Sequence, residues 1–377
     1  MLKWARSDKM GALGVFGILF LLSVAVFAPV IANGRPFLYL ADGKTCFPAV
    51  EFIFAPDSTE PLVEKFFNYI LLAWPLGLVA WIMFRRGYRR GLLVPAFLAL
   101  LLTVPFILAK QRLDKTDWRG KAAREDAFAV FAPVPYGPFE NVAEPYSPPS
   151  RGHLLGTDKI GRDVLSRMLY GARVSLAVGI FATGITILIG TIVGLSAGFF
   201  GGTFDLVVMR IVEIVICFPT FLLLLILMSI MMDSGYTQSI ILVIAVIGLT
   251  GWTGLSRITR GETLRLRAMP FVMACESLAI PTWRVMLFHL LPNITGPIMI
   301  NFAFGIAGAI MAESSLSFLG FGVQAPTASW GELLRQAFED PFSYWHLTLW
   351  PGLALLVAVV SFNFAGESLR RALDPKE

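Results

Sequence analysis

Apolar residues run through this chain in long blocks, without the alternation of a half-buried strand or the one-sided period of a soluble helix. No charge interrupts Gly11 to Ala32, a run long enough at ~1.5 Å per residue to cross a hydrocarbon core of ~30 Å. Two shorter runs, Phe66 to Phe84 and Gly91 to Ala109, are joined by Arg85-Arg86-Gly87-Tyr88-Arg89-Arg90 and predict a transmembrane hairpin. Pro75 and Pro95 keep a second arrangement open, a pair of interfacial or re-entrant helices. Beyond Arg173 further runs follow at about 174–199, 206–231, 239–256, 293–312 and 347–365. The pattern predicts an all-α membrane protein, a polytopic bundle of about eight transmembrane helices.

Polar intervals divide these runs. Residues 110–150 carry Pro133, Pro135, Pro138, Pro145, Pro148 and Pro149, which mark an irregular external loop. The expected organisation is therefore an N-terminus with the first span (1–32), an external insert (33–150) containing the hairpin (66–109), and a core (151–377). Sidedness follows from cations held on the cytoplasmic side. Lys3, Arg6 and Lys9 precede the first span, Arg257, Arg260, Arg265, Arg267 and Arg284 occupy the stretch 257–292, and Arg370, Arg371 and Lys376 close the tail. Both termini and the arginine connector of the hairpin are then cytoplasmic. Lys110, Arg112, Lys115, Arg119, Lys121 and Arg124 run against the rule, offset by Asp114, Asp117, Glu125 and Asp126. Cleavage of a signal peptide is not expected, because its apolar region would be only about 7–15 residues.

Composition agrees: 56% of the 377 residues are hydrophobic and 15% charged, against roughly 25% charged in soluble domains. Lys plus Arg is 31 and Asp plus Glu 26, a net +5 that reports topology rather than a basic domain, so no nucleic-acid partner is implied. Cys46, Cys217 and Cys275 are too scattered for a disulfide framework, and with His153, His289 and His346 they form no metal motif. Gly43-Lys44-Thr45 fails as a phosphate-binding loop, since Leu38 stands where that loop needs glycine. No Gly-x-Ser-x-Gly elbow occurs, so neither an intrinsic enzyme nor a cofactor is expected.

Within the spans, Gly190, Gly194 and Gly198 share one helical face, as do Gly305, Gly308, Ala309 and Ala312. Packing inside one bundle and a subunit interface both fit such stripes. Arg210 and Glu213 can pair at i, i+3 near the cytoplasmic start of their span. Glu313, at the outer end of its span, suits either a cap on the following turn or the wall of a pathway. The cytoplasmic segment 270–292 predicts two short amphipathic helices, with Phe271, Ala274, Cys275 and Leu278 on one face and Trp283, Met286, Leu287 and Leu290 on another. Faces this short can lie on lipid headgroups or dock into a partner's groove.

This segment resembles the coupling loop of ABC-importer permeases, whose motif runs Glu-Ala-Ala, three residues, Gly, and then Leu-Pro. Leu291-Pro292 fits, while Met273-Ala274-Cys275 and Ala279 stand for the Glu-Ala-Ala and the glycine, which implies a tighter or straighter turn. Leu155-Gly156-Thr157-Asp158, Gly161-Arg162-Asp163-Val164-Leu165-Ser166-Arg167, Tyr170-Gly171-Ala172-Arg173-Val174-Ser175-Leu176 and Ser315-Leu316-Ser317-Phe318-Leu319-Gly320-Phe321-Gly322 resemble the C-type membrane subunit of dipeptide and oligopeptide importers. The likeness covers about 150–375, a six-helix core; the segment after the first span is similar to the microcin-C-type uptake subgroup, and the hairpin is a departure.

The resemblance implies a bacterial inner-membrane permease paired with a B-type permease, two cytoplasmic ATPase subunits that bind the ATP, and a periplasmic or lipid-anchored peptide-binding protein. Phe271, Ala274, Cys275, Glu276, Leu278, Ala279, Trp283, Leu287 and Pro292 would then couple to the ATPases. Asp158, Arg162 and Asp163 would order an external loop or dock the binding protein, their pairing contributing ~0–1 kcal/mol if exposed. A secondary transporter or channel is the competing class, and it would call for midplane charges or repeated halves that this sequence does not present.

Overall fold

The computed structural model describes residues 8–41, 44–56, 58, 60–87, 93–109, 116–233 and 239–373. Lys3, Arg6, Asp42, Gly43, Arg89, Arg90, Lys110, Arg112, Asp114, Lys115 and Lys376 lie outside the described residues. In chain order the helices are α1 (Lys9–Ile31), α2 (Pro48–Phe54), α3 (Pro61–Arg85), α4 (Leu93–Leu108), α5 (Trp118–Arg124), α6 (Val164–Phe200), α7 (Gly202–Ile216), α8 (Thr220–Asp233), α9 (Ile240–Arg267), α10 (Pro270–Ser277), α11 (Thr282–Arg284), α12 (Thr295–Leu319), α13 (Trp330–Gln336) and α14 (Trp345–Leu373). Strands β1 (Leu38–Ala41), β2 (Lys44–Cys46) and β3 (Phe128–Val130) form a small antiparallel sheet in the order β2-β1-β3, with Tyr39 opposite both Cys46 and Ala129. The fold class is the predicted one, all-α and polytopic, with this sheet as an unpredicted addition inside the insert.

Among the described residues six helical stretches are long and apolar enough to cross a bilayer: α1, α3, α6, α9, Thr282–Leu319 and α14. Two expected spans differ. The run 206–231 is broken, because α7 and α8 meet at 82° across Cys217-Phe218-Pro219. Proline lacks the amide that would continue the ladder, and it disfavours helical geometry at the residue before it. The second arm of the hairpin, α4, has 16 residues, about 24 Å, shorter than the hydrocarbon core.

The described chain divides into two compact units, with boundaries inside α1, α6 and α14 and a fourth in the loop between α12 and α13. One unit takes 1–20, 175–323 and 353–377. There the glycine stripe of α6 faces α9: a Cβ on Gly190, Gly194 or Gly198 would come within 2.9 Å of Trp252 O, 2.3 Å of Ser256 O and 2.7 Å of Thr263 Cβ. The stripe is thus filled by this chain's own bundle packing, the close backbone approach that lipid-embedded helices need. Gly14 serves the same purpose between α1 and α14, where a Cβ would come within 2.7 Å of Ser361 O.

The other unit takes 21–174 and 324–352. Its centre is Arg173, fully buried, whose Nε donates to Ala25 O (2.6 Å), Nη2 to Val26 O (3.1 Å), and Nη1 to Asn68 Oδ1 (2.8 Å) and to Glu64. The inserted helix α3 is therefore held to the first turns of α6 by an ion pair and an amide, both buried. Phe67 and Tyr170 cover the guanidinium with their ring faces at 5.6 and 5.4 Å.

Candidate functional site: segment 270–294 and the buttress before α6

Residues 270–294 fold as α10, a turn, α11, a π-helical turn over Val285–Leu290 and a 3-10 turn over Leu291–Ile294. One side is anchored. Val272, Cys275, Val285, Leu290 and Ile294 are buried in one cluster with Leu195, Phe199 and Leu266. The other side is open, with Phe271 38%, Leu278 76%, Trp283 53%, Leu287 48% and Phe288 63% exposed. Ala274, Ala279 and Pro292 are also exposed, whereas the side chain of Glu276 lies outside the described residues.

This geometry corrects two expectations. Cys275 does not share the open face of Phe271 and Leu278; it packs inward beside Val272. In the second helix Trp283 and Leu287 point out but Leu290 points in with Val285, five residues earlier. Five residues is the hydrogen-bonding step of a π turn, whose wider winding brings these two onto one side where a 3.6-residue period sets them apart. The turn itself is neither straightened nor tightened away: Ala279 adopts φ +54, the left-handed conformation that favours glycine.

Just beyond, Arg260 of α9 grips Asp205 in the first turn of α7 through two hydrogen bonds of 2.5 Å. Gly201 and Gly202, both at positive φ, make the corner before it. Arg284 lies over Trp283 of the open face at 5.4 Å, whereas Arg267 lies over Phe199 of the anchored cluster at 5.7 Å. Arg210 and Glu213 do pair, at 2.7 Å, on an exposed face.

The residues around Asp158 sit differently. Asp158 accepts hydrogen bonds from Arg162 Nε (2.7 Å) and from the amides of Ile160 (3.0 Å) and Arg162 (2.9 Å), with Arg167 Nε at 3.3 Å. Arg167 in turn donates to Glu332 (2.6 Å) and to the carbonyls of Pro138 and Pro326. Asp163 caps the start of α6 by accepting from Ser166 N at 2.8 Å, and it meets His153 Nδ1 at 2.9 Å. All of Asp158, Arg162, Asp163 and Arg167 are buried, so the exposure assumed for the small pairing energy is not met. Desolvation pulls the Arg162 pKa below its usual value; Arg167 adds to the shift and Asp158 opposes it.

Glu313 is fully buried and does not reach the outer surface. Its carboxylate accepts from Ser317 Oγ (2.7 Å), Ser175 Oγ (3.3 Å) and Ser314 Oγ (3.3 Å). Ser317 Oγ accepts from Val323 N at 2.9 Å, and Gly320 closes α12 at φ +89. These contacts brace the turn after the helix. Sequence reasoning missed Asp205, Glu64, Asn68 and Glu332 as partners. Among the described residues no cluster of three or more His, Cys, Asp or Glu could hold a metal ion.

The profile of the binding-protein-dependent transport system inner membrane component family matches residues 190–377, which include segment 270–294 and Glu313. The dipeptide transport system permease protein of Bacillus subtilis is 38% identical over 66% of this chain and 78% of its own length. The oligopeptide transport system permease protein of Haemophilus influenzae is 36% identical over 78% of this chain and 87% of its own length. The glutathione transport system permease protein of Pectobacterium atrosepticum is 37% identical over 60% and 74%. The chain belongs to this family of inner-membrane permeases. As a permease it is a multi-pass transport component, and its anchored, two-faced segment 270–294 lies within the part that the family shares.

Proposed function

We propose that this permease is one membrane subunit of an ATP-driven importer of peptides, in the class of its dipeptide, oligopeptide and glutathione relatives. In this reading it pairs with a B-type permease around a shared path, two cytoplasmic ATPase subunits dock on segment 270–294, and a peptide-binding protein delivers cargo from outside. Both termini are cytoplasmic, and ATP is bound and hydrolysed by the partners. The microcin-C-type likeness is retained as a reading of the cargo.

The observation that carries the proposal is the exposed apolar face of Phe271, Leu278, Trp283 and Leu287, backed by a buried face that fixes it to α6, α9 and α12. A lever needs both. An open side without the anchor would move alone, and an anchor without the open side would have nothing to grip. ATP shifts the equilibrium only through its different affinity for open and closed ATPase pairs, and the rigid segment passes that preference to the helices.

Replacing Leu278 by Asp puts a charge in the middle of the docking face while touching no buried neighbour. The expected outcome is loss of ATPase subunits from the purified complex and loss of peptide uptake in proteoliposomes. Undiminished co-purification and uptake would reject the assignment.

A further inference from the structure

Within the unit formed by 1–20, 175–323 and 353–377, a groove of about 430 Å³ opens between α6, α8, α9 and α12. It carries no ionisable side chain; its polar groups are hydroxyls and one amide, from Thr183, Thr186, Thr220, Thr250 and Asn301. Two of its glycines are explained by this chain's own packing. A Cβ on Gly305 would come 2.6 Å from Thr183 Cγ2, and one on Gly251 2.9 Å from Thr186 Oγ1. Gly254 and Gly308 are not explained so: a Cβ at either would meet nothing within 4 Å. A mid-helix glycine is less favourable than alanine, so this open space is kept at some expense to both helices.

Thr183 supplies an independent sign. It is 3% exposed, it lines the groove, and its Oγ1 has no hydrogen-bond partner among the described residues. An unpaired buried hydroxyl is costly. A helix of a second subunit seated in the groove would bring backbone groups already bonded to one another. An extended peptide brings a free amide N–H and C=O at every residue.

We infer that this groove is the permease's wall of the translocation path, and that it takes short peptides in extended form through their main chain. The inference rests on the importer reading above and deepens it by naming the wall and what it recognises. Thr186, Thr250 and Asn301 already donate to carbonyls of their own helix or of a neighbouring one, which leaves their oxygens to accept from a peptide N–H, while Thr183 Oγ1 has its proton to give to a peptide C=O; the missing charges leave acidic and basic side chains equally tolerated. The space over Gly254 and Gly308 accommodates side chains of different size.

The test uses the complete transporter, co-expressed with its partner subunits and reconstituted, with the exposed Cys46 and Cys217 replaced by serine. Gly254→Cys and Gly308→Cys are each treated with a water-soluble methanethiosulfonate cation during ATP turnover. Casein-derived tripeptides to pentapeptides serve as the competitor. Both cysteines should react, and the peptide pool should slow the reaction about tenfold at ten times its Kd. Gly308→Ala should still import, while Gly308→Leu should lose import yet purify with all its partners. Unreactive cysteines that crosslink to the second permease would overturn the inference and make the groove a helix seat. Labelling that the pool does not slow, in a complex that imports the pool, would also overturn it. A wild-type complex that imports no peptide would instead refute the importer reading, and with it the cargo class, while reactive cysteines still showed the groove to be water-filled.

Discussion

Segment 270–294 and the buttress around Asp158 spend their side chains in opposite ways. In the segment, Leu278 is 76% exposed and Trp283, Leu287 and Phe288 stand open beside it. In the buttress, Asp158, Arg162, Asp163 and Arg167 are buried, and their polar groups turn to each other, to Glu332 and to backbone groups. Charges that are already satisfied inside the chain can offer little to a partner. Apolar groups left in the open have no use within the chain. The difference separates residues that build the permease from those that address something outside it.

The largest stability effect should come from the buttress. Arg167→Ala strands Glu332 and part of Asp158, and breaking a buried pair costs about 3–5 kcal/mol. The expected outcome is a steep fall in thermal stability and yield in detergent. Glu64→Ala should cost a similar amount, about 3–5 kcal/mol, by leaving Arg173 uncompensated. If that variant melted like the wild type, the hairpin would not be fastened to α6 as described.

Arg260→Ala removes a partly exposed bidentate pair and should cost about 1 kcal/mol, while loosening the corner at Gly201 and Gly202. Limited proteolysis at that corner, faster in the variant, checks it. Ala279→Gly should raise stability by about 1 kcal/mol, because alanine at φ +54 bears a left-handed penalty that glycine escapes. A lower melting temperature there would show that the turn is not left-handed. Leu278→Asp should change stability by no more than about 0.5 kcal/mol, as a surface substitution does, while abolishing ATPase capture. That contrast with Arg167→Ala is the sharpest form of the comparison.

The membrane spans were legible because lipid demands long apolar runs, and Gly11 to Ala32 and 347–365 are runs of that length without a charge. The break at Pro219 was visible in the sequence, although an apolar run on both sides concealed it. Hidden from any local pattern were contacts between distant residues: Arg173 with Glu64 and Asn68, Tyr39 with Ala129, Arg260 with Asp205. In segment 270–294, helical spacing picks out Phe271, Leu278, Trp283 and Leu287, and all four are exposed. Cys275 and Leu290 were assigned to the wrong side, because the spacing that marks an apolar face does not say which of two partners it meets. The π turn left no mark in composition. Ala279 shows the converse, a residue change that predicted a different turn where the backbone kept its left-handed form.

The account turns on what covers Leu278. Placing a photoreactive benzoylphenylalanine at that position in the assembled transporter and irradiating it tests this most directly. The predicted result is a crosslink to an ATPase subunit whose yield changes between the nucleotide-free and ATP-bound complexes. A crosslink to lipid alone, or to the permease's own chain in every state, would contradict it.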